Sequence, residues 1–84
     1  MKIKVLGVGC ANCKLLLERV KEAIRDSGVQ AEIEYITNMK EIMKFNVMSM
    51  PGLVINDKVV STGKVLSKEE IISKIMTAKA GEEQ

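Results

Sequence analysis

Lys2-Ile3-Lys4-Val5-Leu6-Gly7-Val8 begins with polar and apolar residues in alternation and ends as an apolar run. A period of two marks a strand, and the apolar end suits one covered on both faces, so this segment predicts a central strand. From Cys10 the period changes. Cys13, Leu16, Leu17, Val20, Ala23 and Ile24 recur at helical spacing on one face, with Lys14, Glu18, Arg19, Lys21, Glu22 and Arg25 covering the rest. That is an amphipathic helix with one buried stripe. Leu15 falls on the polar side, where core packing does not explain it. Ser27-Gly28 ends the pattern, and Gly28 suits the left-handed residue that closes many helices.

Ala31 to Ile36 alternates again and predicts a second strand, whose Glu32 and Glu34 require a face or edge in water. Asn38 followed by Glu41 forms a capping-box pattern, and a short helix burying Met39, Ile42 and Met43 is expected after it. Met48-Ser49-Met50-Pro51-Gly52 breaks the pattern with the only proline of the chain. Leu53-Val54-Ile55 and Lys58-Val59-Val60 flank the turn pair Asn56-Asp57, predicting a hairpin that Thr62-Gly63 closes. Ser67-Lys68-Glu69-Glu70 is a second capping box, with Ile71, Ile72, Ile75 and Met76 as the inner face of the last helix. Residues 79–84 are expected to fray. The element order is therefore βαβαββα in a single domain over residues 1–84. The first βαβ unit implies parallel strands joined by a crossover, and the hairpin adds antiparallel ones. The fold class is α/β, a mixed four-stranded sheet with helices on both faces.

At 84 residues, the chain can build only a modest core. Its 46% hydrophobic and 29% charged residues give an ordinary globular balance. The net charge of +2 is dispersed, and Tyr35 and Phe45 are the only aromatics. Nucleic-acid binding lacks both a basic patch and stacking residues. No apolar run approaches the roughly 18 residues of a membrane span. Val5 to Val8 falls short of the 7–15 or so apolar residues of a secretion signal. Two cysteines without an export signal point to the reducing cytoplasm, where a close pair serves catalysis or metal binding rather than a permanent staple. The six methionines read mostly as core filler, with Met48 and Met50 also placed for substrate contact.

Gly-Cys10-Ala-Asn-Cys13 at the start of a helix has a specific chemical consequence. Unpaired N–H groups and the positive end of the dipole favour a thiolate at Cys10, and such sites bring cysteine pKa from about 8.5 to between roughly 3.5 and 7.5. Cys10 precedes the helix and can face solvent, whereas Cys13 heads the apolar stripe. This asymmetry suits thiol–disulfide exchange, with Cys10 attacking a partner's disulfide and Cys13 resolving the mixed disulfide. The alternative is soft-metal chemistry, in which the two thiolates hold Cu(I). Metallochaperone domains also put C-x-x-C between strand and helix, but run βαββαβ and carry a methionine where Val8 stands. A structural zinc site normally takes four ligands, and the chain has no histidine and no third cysteine. A permanent disulfide across so short a loop would stabilise little. Gly7-Val8-Gly9 matches a dinucleotide-binding loop only in part, and its glycines read instead as a tight turn into the cysteine loop.

Three pieces, K-V-L-G-V-G-C-A-N-C, M-P-G-L-V-I-N-D-K-V-V and G-K-V-L-S-K-E-E-I, follow in order between Lys4 and Ile71. With them the chain resembles the thioredoxin/glutaredoxin superfamily, and within it the small archaeal and bacterial redox-active disulfide proteins. The resemblance implies a thioredoxin-like fold, a cis Met50–Pro51 bond and Pro51 lying against the cysteine pair. It implies that the Met50 backbone pairs with an extended substrate segment. Gly9, Ala11 and Asn12, beside Cys10, and Thr62 and Gly63, at the end of the last strand, would share that substrate surface. The implied partners are disulfide-bearing protein targets and an upstream reductase. A monomer is expected, with the reversible Cys10–Cys13 disulfide as its redox centre and no separate cofactor. Several positions depart from the commoner patterns of the superfamily: Ala11-Asn12 between the cysteines, Gly9 rather than tryptophan before them, Gly63-Lys64 rather than Gly-Gly, and no buried acid in the first strand.

Overall fold

The structure, a computed structural model, describes residues 1–82. Its elements are β1 (Lys2–Leu6), α1 (Ala11–Ser27), β2 (Glu32–Ile36), α2 (Met39–Met43), β3 (Gly52–Ile55), β4 (Lys58–Thr62) and α3 (Lys68–Glu82). The strands form one sheet in the order β2-β1-β3-β4. β1 runs parallel to β2 and antiparallel to β3, and β3 pairs antiparallel with β4. This is the mixed four-stranded sheet that the periodicities imply. β2 is an edge strand, which explains why Glu32 and Glu34 are exposed.

Alternation along the strands builds a core on each face. Ile3, Val5, Leu53 and Ile55 pack with Leu16 and Val20 of α1 and with Ile71 and Ile75 of α3. Leu6 and Val54 point the other way and pack with Ile42 of α2 and with Val47. Each fully buried aliphatic side chain contributes about 1.5–3 kcal/mol relative to exposure. Leu17 and Ile24 flank the α1 stripe as half-buried residues, while Leu15 is exposed.

The ends of the elements follow from local chemistry. Gly28 closes α1 at φ 71°, its N–H donating to Ile24 O. Ser67 Oγ accepts from Glu70 N–H at 3.2 Å while the Glu70 carboxylate accepts from Ser67 N–H at 3.5 Å, a complete capping box. Asn38 makes only half of one. Its Oδ1 accepts from Lys40 and Glu41 N–H, but the Glu41 carboxylate turns to Lys44 at 3.1 Å. Asn56 and Asp57 both adopt left-handed conformations, φ 51° and 65°, the geometry of a two-residue hairpin turn. Lys2 holds that turn from both sides: its N–H donates to Asn56 Oδ1 and its carbonyl accepts Asn56 N–H.

Four expectations are corrected. β1 ends at Leu6 and Val8 is 55% exposed, because the chain leaves the sheet there to reach α1. α2 buries Ile42 but leaves Met39 and Met43 exposed, since five residues turn only one side chain inward. Met76 is exposed and Ile72 half-buried, so the buried seam of α3 is Ile71 and Ile75. No methionine is buried among the described residues, so methionine is not the core filler here. Isoleucine, leucine and valine, with fewer rotamers to lose, occupy that space. α3 itself runs to Glu82, and of the segment 79–84 expected to fray, residues 83–84 lie outside the described residues.

Candidate active site

Cys10 and Cys13 are joined by a disulfide, with their Cα atoms 5.0 Å apart across the first turn of α1. Cys10 is the N-cap, in extended conformation, and its Sγ accepts the Cys13 N–H at 3.1 Å. Its carbonyl accepts the first helical N–H, from Lys14, also at 3.1 Å. A cysteine sulfur thus stands where a serine or aspartate oxygen commonly caps a helix. A sulfur in this position, with a backbone N–H donating to it at the positive end of a helix, is one where a thiolate is favoured over a thiol. No acidic side chain in the first turn of α1 offsets this field. Cys10 is exposed and Cys13 is completely buried, so one member of the pair meets solvent and the other meets the core.

Cys13 rests against Gly7, where a Cβ would fall on its Sγ and within 2.7 Å of its Cβ. Gly7 is held in turn by its N–H donating to Ile36 O at 3.0 Å. Leu6 pairs with Gly52 at the end of the β1–β3 ladder, so Gly7 and Pro51 both adjoin that end of the sheet. Pro51 is buried and follows a cis peptide bond from Met50. Its carbonyl accepts the Gly63 N–H at 2.9 Å. Gly63, at φ 70°, packs so near Ser49 that a Cβ would lie 3.0 Å from the serine Cβ. Thr62 pairs with Gly52 at the end of β4. Pro51, Thr62 and Gly63 are therefore drawn to the end of the sheet that carries Gly7 and Cys13. Met50 is half-buried, and among the described residues its backbone makes no hydrogen bond. Gly9 at φ 88° makes the turn into the cysteines, with Ala11 and Asn12 exposed on the first helical turn.

The two glycines of Gly7-Val8-Gly9 do different work. Gly9 needs its freedom of φ, whereas Gly7 is not in the left-handed region and is a glycine for space. Sequence reading assigned both to the turn and missed the contact with Cys13. The available signal was a small residue at the end of an apolar strand, three before the first cysteine. No charged side chain is buried among the described residues, in the first strand or elsewhere. No group of three or more His, Cys, Asp or Glu side chains among them is placed to hold a metal ion.

Two cysteines of opposite exposure at a helix start, with a cis-proline loop at the same end of the sheet, define a class: thiol–disulfide oxidoreductases of thioredoxin-like fold. Comparison with known proteins agrees. Residues 1–77 match the family model described as "Thioredoxin domain". A thioredoxin of Methanothermobacter thermautotrophicus is 41% identical over 71 residues, covering 84% of this chain and 92% of that protein. A thioredoxin of Methanocaldococcus jannaschii is 39% identical over 69 residues, covering 82% and 79%. A solved structure described as "Structure of a malarial protein" shares the fold at 17% identity, with a TM-score of 0.68 over 90% of this chain and 93% of the other. The chain belongs to the thioredoxin domain family. Its chemistry is thiol–disulfide exchange through the Cys10–Cys13 pair, and nothing in the structure favours Cu(I) as the alternative.

Proposed function

We propose that Cys10 is the attacking and Cys13 the resolving thiol in the reduction of protein disulfides. The observation that carries this reading is the difference in exposure between the two sulfurs. The Cys10 thiolate attacks one sulfur of the target disulfide, whose S–S bond breaks as a new bond forms to Cys10. The departing target thiolate takes a proton. Cys13 then gives up its proton and attacks Cys10 Sγ, breaking the mixed disulfide and releasing the second target thiol. Two electrons have passed to the target, and the protein holds the Cys10–Cys13 disulfide. An upstream dithiol reductase returns the pair to the reduced state by the same exchange in reverse.

The target segment lies extended along Met50, whose backbone groups are open to strand-like pairing, with Gly9, Ala11, Asn12, Thr62 and Gly63 around it. Exposed Met48, two residues before Met50, offers an adaptable apolar contact to varied sequences. The protein works as a monomer in the cytoplasm, where a reductase keeps the pair cycling. No helix of the described residues is long and apolar enough to cross a membrane.

Incubating the Cys13→Ser variant with a disulfide-bearing protein tests the roles. The expected result is a trapped mixed disulfide through Cys10, absent from Cys10→Ser. A trap that forms through Cys13 instead would reverse the assignment.

A further inference from the structure

Gly7 stands where β1 gives way to the loop that leads to α1, directly under the first helical turn. Any Cβ there would collide with both Sγ and Cβ of Cys13. Neither side can give way easily. The Gly7 backbone is tied to β2 through Ile36, and Leu6 before it is paired to β3 through Gly52. Cys13 is fully buried one turn before Leu16, and its N–H is bound to Cys10 Sγ. Unlike Gly9, Gly7 does not occupy the left-handed region, so alanine suits its backbone and only its side chain is excluded.

We propose that Gly7 is a positioning residue for thiol–disulfide exchange: the space left by its missing side chain seats the Cys13 sulfur and keeps it out of solvent. The C-x-x-C spacing alone puts two sulfurs one turn apart, and the seat makes them unequal. This inference rests on the reading of Cys13 as the resolving thiol. With a side chain at position 7, the Cys13 sulfur must move toward the surface. Burial then no longer opposes its thiolate, and it competes with Cys10 for electrophiles.

The test is alkylation of the fully reduced protein with iodoacetamide, followed by peptide mapping over time. In the wild type Cys10 reacts first; if Cys13 reacts first, the roles of the two cysteines are wrong and the inference falls with them. In Gly7→Ala the ratio of Cys10 to Cys13 rates is expected to fall by about tenfold or more, since thiolate fraction and access set these rates. A Gly7→Ala protein that folds and keeps the wild-type ratio overturns the inference while leaving the cysteine roles intact. If Gly7→Ala does not fold, Gly7→Ala/Cys13→Gly decides. Removing the cysteine side chain removes the collision, so the double variant is expected to recover folding. A double variant as unfolded as Gly7→Ala overturns the proposal.

Discussion

At the scale of single residues, the site depends on where three glycines leave room or allow a turn. The C-x-x-C pair was legible in the sequence because its spacing and its place at a helix start carry their own chemistry. The cis bond before Pro51 entered only through resemblance, since nothing in the local sequence distinguishes it from an ordinary strand boundary. The work of Gly7 was not legible, because the gap between a strand end and a helix is a tertiary distance that spacing does not encode. Gly28 shows the opposite case, a glycine whose role the sequence states plainly. It holds φ 71° with no atom near enough to crowd a Cβ. Gly28→Ala is therefore expected to cost about 1–2 kcal/mol from backbone conformation alone, read by urea denaturation, with exchange activity of the folded protein unchanged.

Among the elements, legibility tracked how completely each one is determined locally. The hairpin and the last capping box were plain, because Asn56 and Asp57 adopt the left-handed turn themselves and Ser67 and Glu70 cap each other's backbone. The buried face of α2 was misread. Met39, Ile42 and Met43 have the spacing of a buried stripe, but so short a helix covers the sheet with Ile42 alone. Two consequences can be measured. Asp57→Gly is expected to raise stability by up to about 1 kcal/mol, because glycine holds a left-handed turn position without a Cβ penalty. The pair it gives up, Asp57 with Lys4 at 3.4 Å, is largely exposed on the aspartate side and worth little. Ile42→Ala is expected to cost about 2–5 kcal/mol, whereas Met43→Ala leaves the denaturation midpoint nearly unchanged.

Across the whole molecule, two small cores share one sheet, and α1 and α3 lie together on one side of it. Their ends are tied by Lys68 and Asp26 at 2.8 Å. The hydrogen bond from Lys68 holds the Asp26 carboxyl below its ordinary value, and the same bond raises the Lys68 ammonium. The Asp26 contribution is present above the ordinary carboxylate value of 3.8 and is lost as pH falls through the lowered one. The Lys68 contribution is present below its ordinary 10.5 and is lost as pH rises through the raised value. Thermal melts of wild type and Asp26→Asn should therefore differ most between these limits. They should converge at both extremes, and the difference should shrink in high salt, because the pair is partly exposed. This tie joins residues 42 apart in the chain and could not be read from sequence spacing, whereas the order of strands and helices could. What the whole fold delivers is one exposed and one buried sulfur at the end of the sheet. The most direct test of that account is the redox equilibrium of the metal-free protein across a series of dithiol buffers, followed by the Cys10–Cys13 disulfide. A reversible two-electron couple between about −200 and −300 mV is predicted, the range of disulfide reductants and exchange proteins. Failure to form the internal disulfide under oxidising buffer would contradict it.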